Sequence, residues 1–327
     1  MRVTFINVGY GDAILIQTDD GGTVLLDGGS ALPQEFSDAP MRIRAADFLR
    51  TQHIDHLDAV VISHIHEDHV CGLRPILDAV PTDILYVPYP AAPFLQAPVL
   101  QPAPDAPRSV PLYTKALNDF RHILCTLSAR GVPIQTLVPG DVITPVPGLS
   151  FTVLAPSPSA IHDYMDSLQQ AYASDDPQTV TRLLTLLDAT SNHTSLLLRL
   201  DAEQTGLLFA ADLCPTGWTE VPFSLLENVN VLKLPHHGQI DSISEPIMAH
   251  MPLTHVITTA SSDRRYNSAN PAVYQRLSAL YPRCPAFLFT DERSYPPYFE
   301  QPEGFQALSL VIHSGQITPE FIKINPS

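Results

Sequence analysis

The six residues His64-Ile65-His66-Glu67-Asp68-His69 carry four side chains suited to first-row divalent cations. Imidazole and carboxylate are the donors that zinc, manganese and iron accept. The segment follows Val60-Val61-Ile62, a short apolar run that reads as a buried strand. A tight loop at a strand end can aim His64 and His66 at one ion. Asp68 and His69 then face a second ion a few ångströms away. The plain alternative is a polar loop rich in histidine by chance. The agreement of strand, spacing and residue types argues against it.

Such a loop needs a sheet to carry it. Residues 4–8 and 13–17 read as strands around the turn Gly9-Tyr10-Gly11-Asp12. Asp19-Asp20-Gly21-Gly22 is a hairpin signal, and residues 23–26 return as a strand that ends at Asp27-Gly28-Gly29. Residues 41–51 read as helix and 57–62 as strand. The stretch 86–112 is rich in Pro and Ala and is expected to be loop or extended structure. A helix over 112–130, strands over 134–137 and 149–154, and a helical insertion at 157–190 follow. Strands are expected at 195–200, 206–210, 229–234, 255–259, 286–289 and 307–312, with a helix at 272–281. Strands early and late with helices between them suit a layered α/β sandwich. We expect one domain over 1–327, because motifs on both sides of the Pro-rich stretch converge on one site.

The spacing His64-x-His66-x-Asp68-His69 resembles the H-x-H-x-D-H signature of the metallo-β-lactamase superfamily. The resemblance implies a four-layer αββα sandwich and two divalent metal ions, zinc or manganese, with iron as a further candidate. It also implies later ligands: a third histidine, a bridging aspartate and a last histidine. His193 in Asn192-His193-Thr194-Ser195 fits the first, with a surface or capping histidine as the alternative. Asp212, at the end of Leu208-Phe209-Ala210-Ala211-Asp212, fits the second, with a turn aspartate as the alternative. His236 or His237 in Lys233-Leu234-Pro235-His236-His237-Gly238 fits the third. Adjacent side chains in extended backbone point opposite ways, so one of the pair serves, and His236 is favoured.

Val8-Gly9-Tyr10-Gly11-Asp12 with Leu26-Asp27-Gly28-Gly29 is similar to the V-G-Q-G-D and I-D-G-G pair of the branch that includes the ComEC C-terminal hydrolase domain. Asn192-x-x-Ser195, Pro235-His236-His237-Gly238 and Arg265-Tyr266 with Asn270-Pro271 extend the likeness. The chain departs from that branch at His66, at Cys71 within Asp68-His69-Val70-Cys71-Gly72, at Asn270 and in the 157–190 insertion. Asp12 and Asp27 are candidates to accept the second N–H of a ligating histidine, or serve simple turn chemistry. Cys71 reads as a small packing residue.

Two metals in such a site activate water for attack on a phosphorus or carbonyl centre. Asp68, His237 and Tyr266 are the catalytic candidates, the last two as general acids. A phosphodiesterase or phosphoesterase is the first expectation. A carboxylic ester, lactone or thioester hydrolase is the second, and a non-catalytic metal-binding module the third.

The formal net charge of −16 over 327 residues disfavours a nucleic-acid partner, although bound cations would offset part of it. A small or moderately sized phosphate ester fits the charge better. The four cysteines are scattered and read as free thiols. No run approaches the ~18 apolar residues of a membrane helix. No signal peptide is evident, so a cytoplasmic protein without membrane contact is expected.

Overall fold

Two mixed β-sheets stack face to face, and helices cover both outer faces. The computed structural model describes residues 1–37, 39, 41–291, 297–298 and 303–324. The first sheet begins with β1 (Arg2–Ile6), β2 (Ile14–Gln17), β3 (Thr23–Leu26), β4 (Ala59–Val61), β5 (Leu85–Val87) and β6 (Ile134–Thr136). The second holds β7 (Val142–Val146), β8 (Leu149–Ala155), β9 (Leu197–Ala202), β10 (Thr205–Phe209), β11 (Val229–Lys233), β12 (His255–Thr258) and β13 (Ala286–Phe289). The chain then returns to the first sheet with β14 (Ala307–His313) and β15 (Gln316–Ile322). The strand orders are β15-β14-β1-β2-β3-β4-β5-β6 and β13-β12-β11-β10-β9-β8-β7.

Side chains alternate across each strand, and here both faces of the inner strands are covered. Ile14, Ile16, Val24, Leu26, Ala59 and Val61 join Phe151, Leu198, Leu207 and Phe209 in the layer between the sheets. Leu15, Leu25 and Val60 point the other way, into a layer shared with helices. That two-sided burial is why β2 to β4 read as near-continuous apolar runs.

The helices on the first sheet are α1 (Ala45–Thr51), α2 (Glu67–Val70), α3 (Leu73–Ala79), α4 (Ala92–Leu95), α5 (Ser109–Ala129), α6 (Pro158–Ala173) and α7 (Pro177–Thr190). On the second sheet lie α8 (Glu245–Met248) and α9 (Pro271–Leu280), with Met248, Val273, Tyr274 and Leu277 packed beneath. The layers therefore run αββα, as expected.

The Pro-rich stretch is not loop throughout: it holds the end of β5, α4 and the first turn of α5. The 157–190 insertion is two helices, each opened by Pro at the first turn. Ser157 and Asp176 cap them by accepting backbone N–H bonds. Two strands were not expected, β7 and β15. Both lie at sheet edges and contain Pro, Pro145 and Pro319, which edge strands tolerate. No helix among the described residues is long and apolar enough to cross a membrane.

Candidate metal centre

β3 and β4 run parallel, as do β10, β11 and β12. Their C-terminal ends deliver Asp27, the 63–69 loop, Asp212, His237 and Thr259 to one place between the sheets. Glycines let the loops approach. A Cβ at Gly11 would sit 2.3 Å from the Asp68 carbonyl oxygen, and one at Gly72 only 2.0 Å from that of Gly28. The backbone bonds Asp12 N–H to Asp68 O at 3.1 Å and Gly28 N–H to His69 O at 2.8 Å lock this contact. The two glycine-containing turns thus hold the histidine loop from both sides.

Two donor groups converge there. One is His64, His66 and Asp212; the other is Asp68, His69, Asp212 and His237. Asp212 faces both groups. Its Oδ2 lies 4.0 Å from His64 Nε2, while its Oδ1 lies 3.4 Å from His69 Nε2 and 3.3 Å from His237 Nε2. Asp68 Oδ2 is 3.1 Å from His237 Nε2. Asp68 Oδ2, His69 Nε2, Asp212 Oδ1 and His237 Nε2 are buried and make no accepted hydrogen bond. Orphaned polar atoms in such a site are costly unless something pairs with them. These four are the donor atoms of one candidate group, and the set fits a divalent cation.

The outer nitrogens of the histidines fix which inner nitrogen is free. His69 Nδ1 donates to Asp27 Oδ2 at 2.8 Å, and His237 Nδ1 donates to the Thr259 carbonyl at 2.7 Å. Ser63 Oγ donates to Asp27 at 2.5 Å and sits 3.1 Å from His64 Nδ1. His66 reverses the pattern: its Nε2 donates to the Asp188 carbonyl at 3.2 Å, leaving Nδ1 inward. His64 Nε2 and His66 Nδ1 then face each other at 3.1 Å. Two lone pairs at that distance repel, and a cation between them relieves it.

Charges are tuned accordingly. Burial holds His64 well below the usual histidine range, helped by His69 and His66. Burial also opposes a charged His69 and His237, but the Asp212 carboxylate outweighs it. His69 rises well above its ordinary value, and His237 rises to about 9. Burial would raise Asp212, yet His237 and His69 hold it well below the carboxylate range. Without a cation, protons on the histidines balance the carboxylates.

Two expectations are corrected. His236 lies outside both groups, and His237, taken as a possible acid, lies inside. The reason is backbone: both residues are left-handed, at φ 48° and 53°, so the extended-chain argument does not apply. His193 is exposed and outside both groups. It lies in a short 3-10 turn (Ser191–Thr194) that turns Asn192 inward instead, and Asn192 Oδ1 is buried without a hydrogen-bond partner. Tyr266 is 68% exposed at the rim. Its ring is 5.1 Å from that of Tyr10, which lies 4.3 Å from His237. Asn270 caps α9 by accepting the Ala272 N–H at 3.0 Å. Cys71 is buried in the helix-side core.

Asp27 accepts the outer N–H of His69, the contact it was a candidate to make. Asp12 acts one step removed: it accepts from Thr259 Oγ1 at 2.6 Å and pairs with the buried Lys233 ammonium. Lys233 also donates to the Ala211 carbonyl at 2.9 Å. Sequence reasoning missed Lys233, although a lone lysine inside Val231-Leu232-Lys233-Leu234 was a visible signal. It also missed Asp188, which lies in the inserted α7 and carries no local motif.

A four-layer αββα sandwich with a histidine–carboxylate donor set at its strand ends defines a class of metal-dependent hydrolases. The metallo-beta-lactamase superfamily profile matches residues 6–169, half of the chain, and the chain belongs to that superfamily. ComE operon protein 3 of Bacillus subtilis (strain 168) is 24% identical over 289 residues, 84% of this chain. The chain spans 30% of that relative's length. Igni18, a metallo hydrolase from Ignicoccus hospitalis, superposes with TM-score 0.50 at 13% identity, covering 96% of this chain and all of the other. Zn(2+)-bound PqqB from Methylobacterium extorquens gives TM-score 0.44 at 13% identity, over 89% of this chain and 98% of that one. Superfamily members use divalent metals, and the donor set here matches that habit.

Proposed function

We propose that the chain hydrolyses a phosphodiester or phosphoester with two divalent cations, zinc or manganese. His64, His66 and Asp212 would hold one, and Asp68, His69, His237 and the same Asp212 the other. The observation that carries this reading is the split of Asp212, one oxygen facing each donor group. Bound cations would supply Lewis acidity and lower the pKa of coordinated water from ~15.7 toward ~7. A pair of cations suits phosphoryl chemistry, where charge develops on both attacking and leaving oxygens.

The chain's own groups prepare that chemistry. Asp27, Ser63, Thr259 and Asp188 hold each imidazole in the tautomer that leaves a lone pair inward. His237 is committed to the donor set, which leaves Tyr266 to protonate the leaving oxygen. Burial and the Asp68 charge raise its phenol, so it keeps its proton at neutral pH. The net charge supports a small or moderately sized phosphate ester over duplex DNA.

The test is turnover of a bis-aryl phosphate by metal-repleted protein, beside an ester and lactone panel and an Asp212→Asn control. Phosphate turnover lost in the control supports the reading. Ester or lactone turnover without phosphate turnover overturns it.

A further inference from the structure

Beside the centre lies a second kind of donor set. Cys214 Sγ, His236 Nδ1 and Asp241 Oδ1 converge, with sulfur 3.8 Å and the carboxylate oxygen 3.4 Å from the imidazole nitrogen. Tetrahedral zinc, with Zn–S ~2.3 Å and Zn–N or Zn–O ~2.0–2.1 Å, places sulfur ~3.6 Å and oxygen ~3.3 Å from nitrogen. The observed edges come close to both. His236 is 21% exposed and Asp241 55%, so the fourth position opens to solvent. We infer that Cys214, His236 and Asp241 bind an additional thiophilic divalent cation of the zinc class, separate from the Asp212 centre.

The local backbone explains how the site is placed. His236 and His237 are both left-handed, a conformation that non-glycine residues adopt at a cost and keep only where their surroundings hold them. The turn sends His237 to the buried donor set and His236 to Cys214. Cys214 follows β10 and Asp241 follows β11, so one cation would tie together the loops that carry Asp212 and His237. A metal on Nδ1 leaves the proton on Nε2. The Gln239 amide lies 2.9 Å from Nε2 and accepts that proton once turned to present its oxygen. The sulfur sets the preference: thiolate selects zinc or cadmium over manganese or magnesium.

The site does not rest on the proposed hydrolysis, and its optical signature keeps the two apart. Neither donor group around Asp212 contains sulfur. Cobalt(II) titration of the full chain should therefore give a near-ultraviolet thiolate-to-metal band whose final intensity matches about one thiolate-bound cation per chain. Cys214→Ser should abolish that band and leave the visible ligand-field absorption of the histidine–carboxylate centre, which also reports an intact fold. Asp241→Asn, an exposed substitution of low folding risk, should shift the band's midpoint to higher cobalt with an unchanged circular dichroism spectrum. No band in the wild type, a band that survives Cys214→Ser, or an unmoved midpoint in Asp241→Asn overturns the site. Failure of phosphate turnover leaves the band in place, so it bears only on the proposed hydrolysis.

Discussion

Asp27→Asn tests whether the outer hydrogen bonds set the metal-facing nitrogens. Asp27 accepts three bonds: Ser63 N–H at 2.8 Å, Ser63 O–H at 2.5 Å and His69 Nδ1–H at 2.8 Å. An amide offers one oxygen and one NH2 group in their place. If the oxygen stays on the Ser63 N–H, the NH2 group faces His69 Nδ1. Two donors then oppose each other unless His69 moves its proton to Nε2. That nitrogen lies 3.4 Å from Asp212 Oδ1 and 3.7 Å from Asp68 Oδ2, and once protonated it has no lone pair for a cation. Losing such a partner weakens metal binding by ~10–100-fold, or ~1.4–2.7 kcal/mol. The loss should fall mainly on the group containing His69, because His64 reaches Asp27 only through Ser63. Calorimetric titration of zinc into metal-free protein carrying Cys214→Ser, with and without Asp27→Asn, resolves the two affinities of the Asp212 centre. Unchanged affinities, or equal losses at both, would refute the tautomer argument.

Asp212→Asn removes the carboxylate shared by both donor groups. Metal content at the centre should fall below about one per chain, with turnover down about 100-fold or more. Two cations retained in elemental analysis of Asp212→Asn on a Cys214→Ser background, which removes the neighbouring thiolate, would sink the bridging role. His193→Ala should leave metal content unchanged and stability within ~0.5 kcal/mol; a lost metal would return His193 to the ligand set. The chelator-treated protein should lose stability as pH rises. His237 rises to about 9 from 6.5, so its contribution is full below about 6.5 and lost as pH climbs through about 9. Burial raises Glu67 to about 7 from 4.5, so its contribution falls over the lower window, between about 4.5 and 7. Below about 6.5 the lowered His64 works against Glu67, because its unfolded form binds the extra proton there, so urea midpoints should decline mainly from about pH 6.5 to 9, and zinc should flatten that decline. A midpoint that climbs over this range contradicts the assignment.

What was legible in the sequence follows from what burial writes into it. β2, β3 and β4 are covered on both faces, so their apolar runs were plain, and the donor loop at the end of β4 came with them. Tight glycine turns were legible for a similar reason, because Gly11 and Gly72 sit where no Cβ fits. The edge strands β7 and β15 carry no such signature. β7 alternates weakly and β15 alternates between exposed and half-buried positions, and the Pro in each argues against a strand when read alone. The cap residues Ser157 and Asp176 were visible, but the break between α6 and α7 was not separated from a single helical stretch.

The site divides along the same line. His64, His66, Asp68, His69 and Asp212 lie in the donor groups expected of them, whereas the choice between His236 and His237 turns on a backbone conformation that the sequence does not show. Extended geometry sends neighbouring side chains apart by alternation, and it favoured His236. Consecutive left-handed residues also send neighbours apart, but with the opposite assignment. Residue type does not announce that conformation in a His-His pair, as glycine would. It is imposed by tertiary contacts: the His236 N–H donates to Ala211 O at 3.1 Å and the Ala269 N–H donates to His237 O at 2.9 Å. Those partners lie 25 or more residues away in sequence for His236 and over 30 for His237, roughly the span over which local patterning carries no information. Which histidine of the pair faces Asp212 is therefore a property of the packed turn, and only the assembled sheets decide it.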